Sequence, residues 1–375
     1  MCRFGFFGFF WMALLVHTSG NAFARIACTM PCDRIAQGPV LQRVQQLEST
    51  LGQDKFQKLC ALQQAPYLQL DQWAKDCPKS NEKDVATLTH FLIKPALSDI
   101  EKARVIFTWI ATHVRYDDVA FNTNRIPDYT PELVLKSKKA VCAGFSILYT
   151  AMCREAALDA MTVTGYAKGY GYRSGERMDE VNHAWNAVKI DQVWKLFDVT
   201  WAEGYGKDVN GKLVSTSLFE PFWFDVSPKI FVFSHYPKAP KWLILPEPIT
   251  LKQFEDLPNL TEEFFCLGFN ADEIYTKATS QNMRMFVKTY PTQATVKAIR
   301  MPFYPAIEKG KPVVFELQSS TDQVAVIEDG QWTYFKKVGD VFTLEYVPKQ
   351  SKISIVVKTA GKKTGFDTLA EYKVK

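Results

Sequence analysis

Cys142, His183 and Asp198 are the residues of this 375-residue chain whose types and order could perform nucleophilic chemistry. Cys142 lies at the start of a predicted amphipathic helix, where unpaired backbone N–H groups and the positive end of the helix dipole favour a thiolate over a thiol. A thiolate is the nucleophilic form of cysteine, and an imidazole oriented by a carboxylate is the arrangement that activates it. The three residues therefore predict a Cys-His-Asp triad in which Cys142 is the nucleophile, His183 its base and Asp198 the group that orients the imidazole.

The elements around His183 and Asp198 must bring these two side chains together. Residues 181–190 and 193–199 have the alternating pattern of strands, and Asp191-Gln192 lies between them. If the turn has an even length, His183 and Asp198 are diagonal neighbours on one sheet face, roughly 7 Å apart or less at Cβ. A loop of odd length would place them on opposite faces. The triad therefore requires a turn of even length at Asp191-Gln192, such as a tight two-residue hairpin.

Each residue of the triad also has an ordinary structural interpretation. A cysteine at a helix start is often a small buried hydrophobe, and a lone histidine or aspartate often satisfies its hydrogen bonds within the core. A second alternative to the triad is a zinc site formed by all three residues, with water as the fourth ligand. Cys153 lies about three helical turns, ~16 Å, beyond Cys142, which is too far for a disulfide. We predict that no metal or organic cofactor is needed.

In combination, the motifs around these residues resemble the transglutaminase-like superfamily, and within it the kyphoscoliosis-peptidase type. The resemblance covers residues 84–268 and rests on these segments: Ala140-Val-Cys-Ala-Gly-Phe, Gly165-Tyr-Ala-Lys-Gly, Asn182-His-Ala-Trp-Asn, Phe197-Asp-Val-Thr-Trp, Phe231-Val-Phe-Ser-His-Tyr-Pro, Lys241-Trp and Phe254-Glu-Asp-Leu-Pro. It implies a papain-like core, the triad of Cys142, His183 and Asp198, and either peptide cleavage or acyl transfer from a glutamine side chain to an amine. Ala143 and Gln192 depart from the expected pattern without removing a triad residue.

Two functions from different classes follow from these motifs. The first is an exported thiol enzyme, a cysteine peptidase or a transglutaminase-like acyltransferase, whose partner is a protein or peptide substrate. Because some relatives have lost catalysis, the alternative is an inert binding or scaffold protein of the cell envelope or exterior. His235 falls within one of the family-like segments, and we assign it a structural role.

The composition is that of a globular protein, with 47% hydrophobic and 23% charged residues. It excludes collagen-like, low-complexity and wholly disordered chains, and the length allows two or three folded units. The net charge of +5 is small and spread along the chain, unlike the concentrated basic surface of a nucleic-acid-binding protein. We expect no nucleic-acid partner.

The first 24 residues have the features of a secretory signal peptide. Arg3 precedes an unbroken apolar stretch at 4–16, and Ala22-Phe23-Ala24 supplies a small-x-small cleavage pattern. The apolar stretch is short for a membrane span, which needs about 20 residues, although a retained anchor is the alternative. We predict cleavage, no stable membrane span afterwards, and a secreted or periplasmic protein.

Four cysteines cluster in the segment that follows the predicted signal, at positions 28, 32, 60 and 77. In an oxidising compartment such a cluster predicts two disulfides, which here would staple a short helical segment over residues 25–83. Three connectivities are possible, and zinc is the alternative. The remaining Cys142, Cys153 and Cys266 are an odd set, so at least one is expected to be a free thiol.

Residues 269–375 contain about eight short β-rich runs separated by Pro, Gly and Asp, with Asp329-Gly330 as a predicted hairpin turn. This spacing predicts an immunoglobulin-like sandwich, which could target the enzyme to peptidoglycan or another envelope polymer. The predicted fold class is α+β. It comprises a papain-like, transglutaminase-like core at 84–268, the stapled helical segment before it and the β-sandwich after it.

Overall fold

The structure, a computed structural model, describes residues 67–359 and 364–375. The predicted signal peptide and most of the predicted stapled segment, including Cys28, Cys32 and Cys60, lie outside the described residues. Of that cysteine cluster only Cys77 is described, and it carries a free, buried thiol. The structure therefore does not support the disulfide staple at the one cysteine where it can be examined.

The first part of the described chain is helical, as the sequence predicts. Thr130 accepts a hydrogen bond from the Leu133 N–H and Pro131 occupies the first helical position, so these two residues fix where one of the helices starts. The elements in order are α1 (Leu68–Lys75), α2 (Val85–Leu92), α3 (Asp99–His113), β1 (Arg115–Tyr116), α4 (Asp118–Thr123), α5 (Pro131–Ser137), β2 (Lys139–Ala140) and α6 (Cys142–Glu155).

A four-stranded antiparallel sheet in the order β5-β4-β3-β8 packs against α6. Ile190 pairs with Val193, and both intervening residues have positive φ (49° and 65°), so the turn at Asp191-Gln192 has the even length that the triad requires. The elements of this region are β3 (Ala160–Ala167), β4 (His183–Ile190), β5 (Val193–Phe197), α7 (Val199–Glu203), β6 (Gly204–Val209), β7 (Lys212–Ser217), α8 (Pro228–Phe231) and β8 (His235–Pro237).

Helices continue further along the chain than the sequence indicated. The β-rich character was expected from about residue 270, but α11 lies there, with the Asn270 side chain accepting from the Glu273 N–H at its start. Asp272 and Glu273 suit the first turn of a helix, and Ile274 and Ala278 bury one face, so local signals favour the helix. The helices here are α9 (Leu251–Asp256), α10 (Glu262–Cys266) and α11 (Ala271–Thr279).

The C-terminal strands form two sheets that share one hydrophobic core. One sheet has the order β10-β12-β16-β15; in the other, of order β11-β18-β17-β13-β14, β9 also pairs with β18. Asp329 and Gly330 both have positive φ and join β13 to β14, which confirms the predicted hairpin. The immunoglobulin-like assignment stays a prediction. The strands are β9 (Lys288–Thr289), β10 (Val296–Arg300), β11 (Ala306–Ile307), β12 (Val313–Ser319), β13 (Val324–Glu328), β14 (Gln331–Tyr334), β15 (Lys336–Val338), β16 (Val341–Tyr346), β17 (Lys352–Lys358) and β18 (Phe366–Val374).

Packing runs across the boundaries that the sequence suggested. Asp71 on α1 accepts two hydrogen bonds of 2.7 Å from the fully buried Arg104 on α3, which joins the start of the described chain to the helical core. Phe264 on α10 and Phe286 near the first strand of the C-terminal sheets lie 5.6 Å apart in one core. No helix among the described residues is long and apolar enough to cross a membrane.

Candidate active site

Cys142 is the first residue of α6, a helix of 14 residues. The residue before it, Val141, is extended and donates its N–H to the Tyr129 hydroxyl at 3.1 Å, so the chain enters the helix in a fixed direction. Gly144 allows close packing there, because a Cβ at this position would lie 2.6 Å from the Ala140 side chain. Cys142 as a residue is partly buried, and it stands at the positive end of the helix dipole. This placement agrees with the one expected from the sequence.

His183 begins β4, and Asp198 follows directly after β5 as the N-cap of α7. Their side chains meet, with His183 Nε2 2.7 Å from Asp198 Oδ2. Asp198 is thus not part of the strand, but the two-residue turn keeps it on the same side as His183. His183 also interacts with the Cys142 side chain, and each of the two groups shifts the pKa of the other. The structure therefore brings all three predicted residues together.

The Asp198 carboxylate is fully buried and accepts four hydrogen bonds. Oδ1 accepts from the backbone N–H groups of Thr200 and Trp201 at 2.9 and 3.0 Å, and Oδ2 accepts from His183 and His235 at 2.7 and 3.0 Å. Burial opposes ionisation, but the charge of His183 and these hydrogen bonds hold the pKa of Asp198 well below its usual range. The side chain is therefore a carboxylate that accepts hydrogen bonds and donates none.

The electrostatics favour a thiolate beside an imidazolium. Burial works against the charged imidazole, yet Asp198, and then Cys142, raise the pKa of His183 to about 10. Burial likewise opposes ionisation of Cys142, but the hydrogen bond and charge of His183 and the Ala184 backbone lower the pKa of the thiol below its ordinary value. The two shifts have opposite signs and one cause, the interaction between opposite charges.

His235 is the member of the site that sequence reasoning left out. Its Nε2 lies 3.0 Å from the Asp198 Oδ2 that His183 also contacts, and the side chain is 1% exposed. The contact depends on β8 pairing closely with β3, and Gly165 makes that possible. A Cβ on Gly165 would lie 2.2 Å from the Tyr236 carbonyl oxygen. The only sequence signal was the position of His235 in a family-like segment.

The buried carboxylate and the two histidines also have ligand atoms within 4.8 Å of one another, close enough to hold a metal ion. This group differs from the zinc set considered from the sequence, because it contains His235 in place of Cys142. Both histidines direct Nε2 at a single carboxylate oxygen at hydrogen-bonding distances. Direct hydrogen bonds therefore account for the geometry of the cluster, and Cys142 remains outside it.

A cleft of about 400 Å³ opens beside His183. Its lining includes six aromatic side chains and four glutamates. The aromatic side chains are Tyr116, Phe121, Tyr170, Trp201, Tyr205 and Trp223, and the glutamates are Glu203, Glu220, Glu262 and Glu263. These glutamates come from α7, α10 and an intervening loop, which is why their convergence was not visible in the sequence.

Of the four glutamates that line the cleft, only Glu203 has a cation beside it among the described residues, Arg115 at 3.5 Å. Glu220, Glu262 and Glu263 form no ion pair with any described residue. Burial, then repulsion by the other two glutamates, raises the pKa of Glu262 to about 7. The lining lysine, Lys168, donates to the Phe254 and Leu257 carbonyls at 2.7 Å instead. The cleft should therefore disfavour anions.

Charged thiol reagents can measure this field. We expect Glu262→Gln with Glu263→Gln to raise the rate of Cys142 labelling by anionic iodoacetate several-fold, relative to labelling by neutral iodoacetamide, because nearby carboxylates repel the anion. Glutamine at 262 keeps an acceptor for Trp223, whose Nε1 donates to this side chain at 3.0 Å. Glu345→Gln, exposed on β16, is the matched control and should leave the ratio unchanged. An equal ratio in the double variant and the wild type would show that these glutamates do not set the field at Cys142.

Comparison with known proteins places the site within a family. Residues 86–199, which contain Cys142, His183 and Asp198, match the model of the transglutaminase-like superfamily. Human kyphoscoliosis peptidase is 36% identical over 178 residues, covering 47% of this chain and 27% of the relative. Hillarin from Drosophila melanogaster is 30% identical over 217 residues, covering 55% and 26%. A solved TGase is 20% identical, covering 42% of this chain and 36% of that one, with a TM-score of 0.24.

The chain contains a domain of the transglutaminase-like superfamily. Within that superfamily the domain is of the kyphoscoliosis-peptidase type, as the sequence motifs predicted. The chain spans only about a quarter of the length of the human and fly relatives. Its helical first part and antiparallel sheet agree with the mixed α and β class expected from the sequence.

Proposed function

We propose that this protein is a thiol enzyme that acts on carboxamide bonds of a protein or peptide. The observation that carries the proposal is the partly buried Cys142 at the start of α6, whose thiol pKa is lowered by a His183 that the buried Asp198 holds at 2.7 Å. A nucleophile, a base and an orienting carboxylate in contact form the arrangement used in acyl transfer. Relatives named as peptidases support the same kind of chemistry.

The proposed reaction proceeds through an acyl-enzyme. The Cys142 thiolate attacks the carbonyl carbon, the Cys142 backbone N–H stabilises the oxyanion, and the His183 imidazolium gives its proton to the leaving amine or ammonia as the C–N bond breaks. Neutral His183 then takes a proton from water or from an acceptor amine, whose attack on the thioester releases Cys142 as the thiolate. Asp198 stays ionised and keeps His183 oriented throughout. Water gives hydrolysis, and an amine gives transamidation.

Alkylation of Cys142 as a function of pH tests the proposal without a known substrate. The pKa of the Cys142 thiol is lowered and that of His183 is raised to about 10. The thiolate–imidazolium pair should therefore exist above the pKa of Cys142 and be lost as the pH rises through the pKa of His183. We expect iodoacetamide labelling, measured by peptide mass spectrometry, to show an apparent pKa below the ~8.5 of a free thiol. In His183→Ala the apparent pKa should rise.

Cys153 serves as the internal control in the same experiment, because it is fully buried on the same helix and burial raises the pKa of its thiol far above the ordinary value. It should remain unlabelled in both proteins. If Cys142 titrates like free cysteine in the wild type and in His183→Ala, the thiol is not activated. The inert binding or scaffold function would then be the better proposal.

We further propose that the protein is exported, to the periplasm or the exterior, and that its C-terminal sheets form an immunoglobulin-like domain that binds an envelope polymer such as peptidoglycan. The signal-like pattern at 1–24 and the short β-rich runs support these proposals. Because one core joins Phe264 to Phe286, binding to isolated peptidoglycan is tested with the full chain. Failure to sediment with it would remove the polymer from the proposal.

A further inference from the structure

His235 is a buried titratable group that the proposed mechanism does not use. Its Nε2 lies 3.0 Å from Asp198 Oδ2, and its Nδ1 lies 2.8 Å from the Ser234 hydroxyl. His235 is 1% exposed and Ser234 is 6% exposed, so water does not compete for either contact. Two imidazoles therefore converge on one oxygen of one carboxylate.

The two imidazoles differ in charge. Burial, together with the charge of His183, lowers the pKa of His235 to about 4 although Asp198 acts in the opposite direction. His235 is thus neutral near neutral pH, whereas His183 is protonated. Because a carboxylate only accepts hydrogen bonds, the proton of neutral His235 must lie on Nε2. Nδ1 is then an acceptor for the Ser234 hydroxyl at 2.8 Å, a shorter contact than the 3.3 Å from that hydroxyl to the Phe231 carbonyl, its other acceptor.

Aromatic side chains fix the plane of the His235 ring. Phe231 stacks on it with a centroid distance of 4.0 Å and an interplanar angle of 17°. Trp201 and Trp223 lie 4.3 and 5.5 Å away at other orientations. The ring therefore cannot turn to follow a moving carboxylate, and its N–H is directed at one point in space.

Asp198 needs such a fixed donor because its two oxygens are held differently. Oδ1 is anchored by two backbone N–H groups of α7, whereas Oδ2 is contacted by side chains alone. If His183 were the sole donor to Oδ2, the carboxylate could rotate with it. A second donor that is neutral also adds no net positive charge that would repel the His183 imidazolium.

We propose that His235 is a positioning residue: it donates an N–H to Asp198 Oδ2 and thereby fixes the carboxylate in the orientation that keeps His183 protonated beside Cys142. The importance of His235 for catalysis rests on the proposed function, in which Cys142 and His183 carry out the reaction. The placement of the carboxylate can nevertheless be measured from His183 alone, without turnover.

Titration of the imidazoles by NMR on ¹⁵N-histidine-labelled full-length protein tests the proposal, and the chain has only five histidines to assign. In the wild type, His235 should stay in the Nε2–H form from pH 5 to 9, and His183 should stay protonated. His235→Phe keeps a stacking ring but removes the donor, and we expect the pKa of His183 to fall by at least one unit. His235→Gln retains a side-chain N–H, and we expect it to restore most of the shift.

The outcomes separate a positioning role from a structural one. If His235→Phe lowers the melting temperature but leaves the His183 titration unchanged, or if wild-type His235 carries its proton on Nδ1, the positioning role is wrong. If His235→Phe does not fold, Ser234→Ala provides the second variant. It removes the hydroxyl that fixes the tautomer and should lower the pKa of His183 by a smaller amount, and no change there would also contradict the proposal.

The same data distinguish this inference from the proposed function. A wild-type His183 that titrates near its ordinary value would contradict both, because the Asp198–His183 pair would not be formed. A His183 that responds to His235 as expected, beside a Cys142 that alkylates like free cysteine, would support the positioning role and reject the thiol enzyme. Where the protein turns over a carboxamide substrate, His235→Phe should lower kcat by about 10- to 100-fold with little change in KM, because misplacement of a catalytic group costs about that much.

Discussion

Cys142→Ala should abolish turnover while leaving the fold intact. Loss of the nucleophile from a triad costs on the order of 10⁶ in kcat, because no other group can form the acyl-enzyme. The thiol is small and partly exposed, so we expect the melting temperature to stay within a few degrees of the wild-type value. Two probes measure activity: hydrolysis of fluorescently quenched casein and incorporation of a fluorescent primary amine into dimethylcasein.

Cys153→Ala is the matched control for this variant, since it removes a thiol from the same helix. Cys153 is fully buried in the core, so its loss should lower stability by about 1 kcal/mol through the cavity it leaves, without affecting either activity. Residual activity of Cys142→Ala above a few per cent would reject Cys142 as the nucleophile. Loss of both activities in Cys153→Ala at a temperature where it remains folded would show that the assays report packing of α6.

Removal of Arg104 should cause the largest loss of stability. Its guanidinium is fully buried and donates to both oxygens of Asp71, which also accepts from the Thr108 hydroxyl at 2.7 Å. Arg104 further packs over the Tyr67 and Phe224 rings, each 4.8 Å from the guanidinium carbon. Arg104→Met keeps much of that packing but leaves the buried Asp71 without its cation. We expect it to lower the free energy of unfolding by about 3–5 kcal/mol.

A double-mutant cycle by urea denaturation separates the lost charge pair from the lost packing. Asp71→Leu combined with Arg104→Met should recover most of the stability lost in Arg104→Met, because no buried charge then remains unpaired. Lys102→Met removes a half-exposed cation from the same helix as a control and should cost less than about 1 kcal/mol, since its partner Asp99 is exposed. Additive losses in the double variant would show that the pair is not energetically coupled.

The sequence by itself determined the chemistry of the triad and the local elements that carry it. The helix start at Cys142 follows from the periodicity of the residues after it, and the two strands on either side of Asp191-Gln192 follow from their alternating pattern. Both depend on residues close in the chain, whose periods of 3.6 and 2 can be recognised directly. The even length of the turn at Asp191-Gln192, which the sequence left open, places His183 and Asp198 on the same side of the sheet. The helix at Ala271–Thr279 also had local signals, and the β-rich composition that follows it obscured them.

Only the tertiary structure decided what surrounds the triad. His235 reaches Asp198 across 37 residues because β8 pairs with β3, and Arg104 reaches Asp71 across 33 because α1 packs on α3. Glu203, Glu220 and Glu262 meet in the cleft although they belong to different elements. None of these contacts has a period or a motif of its own. They depend on how whole elements pack, which is set by burial of their apolar faces and not by the polar residues that this packing brings together.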